Sequence, residues 1–235
     1  MSTPIILTIE GNIGAGKSTI LQKLKDKIAE EEHTDIMFLK EPVDEWDKIR
    51  DKENTPFLTK FYENTEKYSF AFQIMACTTR IGVIKRAIDE NPQCKVFICE
   101  RSIEADSQIF AKMLHNDGLI GELEYQVYQL FYNEHKELYK TSGCVYLDTF
   151  AEKCHERVKK RSRDGESGIS LEYLEKCQKY HNDWLKNDEN KLDMPLLVLD
   201  TNDDVSFDLN DETDKGLQWI KEIFDFMDVL TKKKE

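Results

Sequence analysis

The chain has 235 residues, 40% hydrophobic and 34% charged, which suits one domain with a full apolar core. Its formal net charge of −13 argues against sequence-independent binding to DNA or RNA, whose affinity comes from Lys and Arg meeting phosphates. No uncharged apolar stretch approaches the ~20 residues needed to cross a bilayer, so neither nucleic acid nor membrane is an expected partner.

The first apolar run, PIILTIE at 4–10, is short and β-branched and reads as a strand. A glycine-rich loop ends it, and a helical pattern over 17–32 follows at once. DIMFLK at 35–40 is a second strand, followed by a long helical pattern over 57–90. CKVFICE at 94–100 is a third strand, with helices over 102–114 and 119–140 behind it. GCVYLD at 143–148, helices over 150–162 and 170–187, PLLVLD at 195–200 and a last helix over 213–231 complete the series. Short apolar strands alternating with helices predict an α/β fold: a doubly wound, five-stranded parallel sheet flanked by helices. Residues 1–235 read as a single domain. The expected flexible parts are 47–56, 162–169, 201–214 and the tail at 232–235.

Six cysteines (Cys77, Cys94, Cys99, Cys144, Cys154 and Cys177) include no C-x-x-C pair. Most fall in apolar segments, where a free Cys acts as a small hydrophobe. The first strand starts almost at Met1, so no signal or transit peptide is read. Reduced thiols in a cytoplasmic or nuclear compartment are expected. The five histidines stand singly and form no metal pattern.

Gly11, Asn12, Ile13, Gly14, Ala15, Gly16, Lys17 and Ser18 fit G-x-x-x-x-G-K-S, and Thr19 continues into the helix. Such a loop lets backbone N–H groups approach a β-phosphate. Lys17 would bridge the β- and γ-phosphates, Ser18 would ligate Mg²⁺, and the helix adds its positive end. Strand, loop and helix in that order point to a nucleotide polyphosphate. A guanine-specific hydrolase needs D-x-x-G, which is absent. The one N-K-x-D, at 190–193, precedes a strand instead of following it.

All five strand runs end in or next to an acidic residue: Glu10, Glu41, Glu100 next to Arg101, Asp148 and Asp200. Ligands of open parallel sheets bind beyond the carboxyl ends of strands, so some of these converge on one crevice. Others, Asp148 and Asp200 among them, serve equally well as turn formers. At Glu41 a carboxylate can take the proton of an attacking hydroxyl. Unit charges ~4 Å apart interact by about 4 kcal/mol at an effective dielectric of ~20, so the same carboxylate disfavours a phosphorylated acceptor. On a helical wheel started at Tyr62, Ser69, Gln73, Ala76 and Arg80 fall within about 40° of one line. A solvated face is the ordinary explanation of such a stripe; a face that reads a flat polar heterocycle is the other.

Taken together, GNIGAGKST, EPVDEW, YSFAFQIMACTTR, ERSIEAD and RVKKRSRDGESGISLEYLEKCQKYHNDWL resemble the deoxynucleoside kinase family, in particular its deoxycytidine and deoxyguanosine kinase branch. The motifs run in order over roughly 4–200. The resemblance implies transfer of the ATP γ-phosphate to the 5′-hydroxyl of a deoxynucleoside, with Mg²⁺, in nucleotide salvage. It implies Glu41 as base, and Arg101 as the group that holds the hydroxyl and stabilises developing charge. Glu100 would position Mg²⁺ with Ser18. Tyr62 and Glu166 would bind the 3′-hydroxyl, Gln73 would read the base, and Trp46 would wall its pocket, with Ala76 leaving space. The Arg80 and Asp106 pair marks the branch that accepts cytosine and purines; a simple salt bridge is its other reading. Phe72 and Phe110 flank the base or fill the core. Arg157, Arg161 and Arg163 resemble an arginine lid over the donor phosphates, within about 157–169. Lys159 and Lys160 depart from the apolar pair expected there.

Two rival readings remain. A thymidylate-type monophosphate kinase also has an early phosphate loop, but its acceptor-embracing glycines are missing from Lys40-Glu41-Pro42-Val43-Asp44. A non-catalytic nucleotide sensor requires a broken set, whereas Lys17, Glu41, Arg101 and Arg161 are all present. The family resemblance also implies a homodimer and end-product inhibition by a deoxynucleoside triphosphate. Leu123, Val127, Leu130 and Phe131, in helical register, suit either a dimer face or core packing.

Overall fold

The computed structural model describes residues 4–30, 35–161, 166, 168–187, 192–208, 211 and 213–232. Arg163, Gly165, His33, the first two residues of the 190–193 motif and the tail from 233 lie outside this set.

Five strands form one parallel sheet: β1 (Ile5–Gly11), β2 (Ile36–Leu39), β3 (Val96–Glu100), β4 (Gly143–Asp148) and β5 (Leu196–Asp200). Their order across the sheet is β2-β3-β1-β4-β5. The chain leaves β1 toward one edge and β3 toward the other, so the crevice for a ligand opens beyond the ends of these two strands. β1 and β3 are buried at every residue, which explains their mainly apolar character. The edge strand β2 is half-buried throughout.

Side-chain alternation divides the two faces. Ile5, Leu7 and Ile9 pack with Val96, Ile98, Val145 and Leu147 against α1 (Lys17–Glu30), α8 (Ala151–Arg161) and α10 (Lys215–Lys232). On the other face Ile6, Phe97 and Cys99 meet Ile84 and Ala87 of α4 (Thr65–Glu90). All six cysteines are free and buried in these layers. Burial pushes their thiols up, Cys77, Cys99 and Cys177 to about 12 and Cys154 to about 11.

The helical pattern over 57–90 is two helices. α3 (Phe57–Glu63) stops at Asn64, whose φ of −149° is extended, and α4 starts there. The Asn64 side chain accepts the Lys67 N–H at 3.1 Å, an N-cap that satisfies one orphan donor of the first turn. The wheel started at Tyr62 therefore does not continue through this point, and Tyr62 reaches its place from a separate helix. A short α2 (Val43–Trp46), absent from the sequence reading, follows Pro42. Between β3 and β4 lie α5 (Ile103–Ala105), a π-helical turn over Asp106–Ala111, α6 (Lys112–Asn116) and α7 (Glu122–His135). α9 (Leu171–Leu185) completes the helices.

Two of the segments expected to be flexible, 47–56 and 201–214, carry specific ties; 162–165, 167 and 233–235 lie outside the described residues. Asp51 accepts the N–H groups of Glu53 and Thr55, and residues 50 and 56 form an isolated bridge. In the acidic stretch, Asp214 accepts from the Ser206 hydroxyl at 2.7 Å. No helix among the described residues is long and apolar enough to cross a membrane.

Candidate active site

β1 delivers the glycine-rich loop to the crevice. Gly14 sits at φ +87°, where a Cβ would meet the Cys154 carbonyl oxygen at 2.5 Å. Gly16 sits at φ +100° with open space beside it, so a ligand oxygen can approach its backbone. Lys17 opens α1 and donates its Nζ to the carbonyls of Gly11 (3.1 Å) and Asn12 (2.8 Å). Burial lowers its pKa to about 8; Arg101 adds to the effect, while Glu100 and Glu41 oppose it. Ser18 Oγ donates to Glu100 Oε1 at 2.7 Å, joining the start of α1 to the end of β3. Asn12 Nδ2 donates to the Leu174 carbonyl at 2.8 Å and ties the loop to α9.

Glu41 lies between β2 and α2. Its Oε1 is 2.9 Å from Arg80 Nη2 and 3.3 Å from Arg101 Nε. Burial by itself would raise this carboxyl. Arg101, Arg80 and Lys17 outweigh it and hold the pKa at about 2. Arg80 reaches across from α4 and forks onto Asp106, Nε to Oδ2 at 2.9 Å and Nη2 to Oδ1 at 3.2 Å. Its Nη1 takes the Glu100 carbonyl at 2.9 Å. Burial opposes the Arg80 charge, but Asp106 and Glu41 overcome that and raise its pKa. Burial raises the Asp106 carboxyl, and Arg80 opposes it.

Arg101 adopts φ +65° and is only 2% exposed. Its guanidinium stands 4.8 Å from the centre of the Phe110 ring. Nη1 of Arg101 is buried without a protein partner among the described residues. The neighbouring wall is aromatic. Phe61 and Phe72 stack at 4.5 Å, and Trp46 meets Phe72 edge-on at 5.5 Å while donating Nε1 to Thr79 Oγ1. Tyr62 packs against Phe61 and, edge-on, against Tyr173. Burial raises its phenol, with Glu166 adding to the effect.

The basic residues at the end of α8 already hold acceptors. Arg157 donates to the carbonyls of Thr201 (3.1 Å) and Asp203 (2.9 Å), and to Asp204 Oδ1 at 3.3 Å. Arg161 grips both oxygens of Glu166, at 2.8 and 2.6 Å. Arg163 lies outside the described residues.

One cleft of about 290 Å³ takes in all of these groups: Gly14, Gly16, Lys17, Ser18, Glu41, Trp46, Tyr62, Gln73, Ala76, Arg80, Glu100, Arg101, Asp106, Arg157, Arg161 and Glu166. That volume is near the low end of the roughly 300–1,000 Å³ of small-ligand pockets. The stripe on α4 is not a solvated face, because Ser69, Gln73, Ala76 and Arg80 are all buried. Phe72 and Phe110 both line the cleft.

A protein-family model described as deoxynucleoside kinase matches residues 7–224. The chain belongs to the deoxynucleoside kinase family. It is similar to deoxycytidine kinase of Bos taurus, 32% identical over 249 aligned residues that cover 95% of this chain and 91% of the relative. Deoxycytidine kinase 1 of Xenopus laevis is 33% identical over 254 residues, covering 95% and 91%. The mitochondrial deoxyguanosine kinase of the same species is 31% identical over 224 residues, covering 84% and 82%.

The kinase cleft also contains residues that sequence reasoning did not assign. Val43, Leu58, Phe61 and Tyr173 join its wall. Val43 stands in the acidic segment after β2, which gave no sign of a wall residue. Of the acidic strand ends, Glu41 and Glu100 reach the cleft. Asp148 instead forms an ion pair with Lys186 Nζ at 2.8 Å, and Asp200 accepts the backbone and side-chain N–H groups of Asn202, as a turn former does.

Proposed function

We propose that the protein transfers the γ-phosphate of ATP to the 5′-hydroxyl of a deoxynucleoside in nucleotide salvage, with cytosine or a purine favoured over thymine. The observation that carries the proposal is Glu41 held between Arg80 and Arg101 in the same cleft as Lys17. A neutral alcohol suits this end better than a phosphate. The donors of Arg80 are committed to Asp106, Glu41 and the Glu100 carbonyl, which leaves no fork for an acceptor phosphate.

In this reading the 5′-hydroxyl donates to Glu41, and Arg101 steadies the same oxygen. A carboxyl held at about 2 is a weak base. A loose phosphoryl transition state tolerates one, because the hydroxyl needs to lose its proton only late. Glu41 then aligns the nucleophile and receives the proton as the bond forms. Lys17 and the N–H groups of Gly11, Asn12, Ile13, Gly14, Ala15, Gly16, Ser18 and Thr19 cradle the donor phosphates. Arg157, Arg161 and Arg163 add charge over them.

Ser18 Oγ and Glu100 Oε1 are hard oxygen donors 2.7 Å apart, a pair that fits Mg²⁺ held together with substrate phosphates. Bound there, Mg²⁺ neutralises phosphate charge. Gln73 reads the base edge, and the Arg80 and Asp106 pair presents a carboxylate to an exocyclic amine. Tyr62, kept protonated by burial, and Glu166 take the 3′-hydroxyl. Trp46 and Ala76 shape the base pocket. A homodimer through α7 is part of the proposal, supported by exposed Leu123 (77%), Val127 (53%) and Leu130 (63%) along one stripe. A cytoplasmic location and product control by a deoxynucleoside triphosphate complete it.

The test is a panel of deoxycytidine, deoxyadenosine, deoxyguanosine and thymidine with ATP and Mg²⁺. Turnover of the first three above thymidine is expected. Preference for a nucleoside monophosphate, or no nucleoside-dependent ATP consumption, overturns the reading.

A further inference from the structure

Glu10 has no part in the chemistry above, although its side chain is fully buried at the end of β1. Alternation turns it to the same face as Ile6 and Thr8, beside Tyr146 of β4 in register. Packing alone would favour an apolar residue there, because an ion in the interior is costly unless it is well bonded. Its Oε1 accepts the Ser102 N–H at 2.8 Å. Oε2 has no protein partner among the described residues. Burial raises the carboxyl, and the charge of Arg101 is the main opposing influence.

Ser102 directly follows Arg101, whose φ of +65° lies in the left-handed region that a non-glycine residue adopts only at a cost. Both peptide groups around Arg101 are pinned. On one side its own N–H donates to the Ile9 carbonyl at 3.1 Å, and Arg80 Nη1 holds the Glu100 carbonyl at 2.9 Å. On the other side the clamp is the Glu10 carboxylate. The turn so fixed brings the Arg101 side chain back over Phe110 and toward Glu41.

We propose that Glu10 is a positioning residue: its carboxylate grips the Ser102 N–H and thereby keeps Arg101 in the left-handed turn that aims its guanidinium at the reacting end of the cleft. This rests on the kinase reading, since only there does Arg101 act on a substrate. Because Glu10 precedes Gly11, the end of one strand governs both the phosphate loop and the Arg101 turn.

Three variants separate the contributions. Glu10→Gln keeps an acceptor oxygen at the same reach, Glu10→Met keeps the length without an acceptor, and Glu10→Asp keeps the charge one methylene short. Glu10→Gln is expected to retain kcat within about threefold. Glu10→Met and Glu10→Asp lose roughly 10- to 100-fold in kcat, with KM for ATP held within about threefold. Glu10→Asp carries the prediction if Glu10→Met does not fold. In an Arg101→Ala background Glu10→Met costs no further kcat, whereas additive losses would make Glu10 merely structural and overturn the proposal. Full kcat in Glu10→Met or Glu10→Asp also overturns it.

NMR of the arginine Nε–H groups reads the geometry without turnover. The Arg101 signal, identified by its loss in Arg101→Ala, moves in Glu10→Met and Glu10→Asp but not in Glu10→Gln. A signal unmoved in all three overturns the proposal. Wild-type protein that phosphorylates no nucleoside would sink the kinase reading alone and leave the spectrum to decide the role of Glu10.

Discussion

The two ends of the cleft are built differently. At the acceptor end, Glu41, Arg80, Asp106 and Arg101 form a buried network whose partners are fixed before any ligand arrives. At the donor end, Lys17 holds loop carbonyls, Arg157 holds residues 201–204 and Arg161 holds Glu166. On the proposed function those cations exchange internal acceptors for phosphate oxygens. The acceptor end therefore spends little on ordering when it binds, and the donor end trades one set of bonds for another. Preorganisation belongs where charge develops, and exchangeable bonds belong where a polyphosphate has to enter and leave.

Breaking the fixed end has the largest expected effect. Glu41→Gln lowers kcat by roughly 10²- to 10⁴-fold while ATP affinity stays nearly constant. Steady-state kinetics and ATP titration check it, and an unchanged kcat would remove Glu41 from the chemistry. Asp106→Ala leaves Arg80 with a buried charge stripped of its main partner. A loss of about 3–5 kcal/mol in urea unfolding is expected.

The exchangeable end responds more mildly. On the proposed function Lys17 must be charged to hold phosphate, and burial lowers its pKa to about 8. ATP affinity measured by titration calorimetry should fall as pH rises through that value, by at most about tenfold per pH unit. The acid side behaves differently. Glu41 is depressed from 4.5 to about 2, so its contribution to stability is complete above about 4.5 and is lost as pH falls toward 2. Between pH 5 and 7 its ionisation should leave the rate unchanged. The smallest effect falls on stability in Arg161→Ala. Arg161 is 34% exposed but Glu166 only 6%, so loss of this bidentate partner should cost about 1–2 kcal/mol of stability, and the KM for ATP should rise.

Much of this contrast was readable in the residues. All five strands lie within two residues of the sequence reading, because buried parallel strands are mainly apolar runs bounded by turn residues. The phosphate loop and the pair Arg80 and Asp106 were visible as motifs. The break at Asn64 was missed because the residues on both sides keep a helical pattern, even though Asn is a favoured N-cap. Glu10 looked like one more acidic strand end. Its partner Ser102 is 92 residues away, and only the pairing of β1 with β3 brings the two together. The acceptors gripped by Arg157 and Arg161 were equally hidden, since a guanidinium on a helix end gives no sign of which carboxylate it will find.

The six cysteines carry a practical consequence. Each is buried and its thiol is pushed upward, so the native fold exposes no reactive thiolate to an alkylating reagent near neutral pH. Labelling then has to wait for the chain to open. Since the cysteines are spread over β3, β4, α4, α8, α9 and the turn before β3, the order in which they become modified would map which layers separate first.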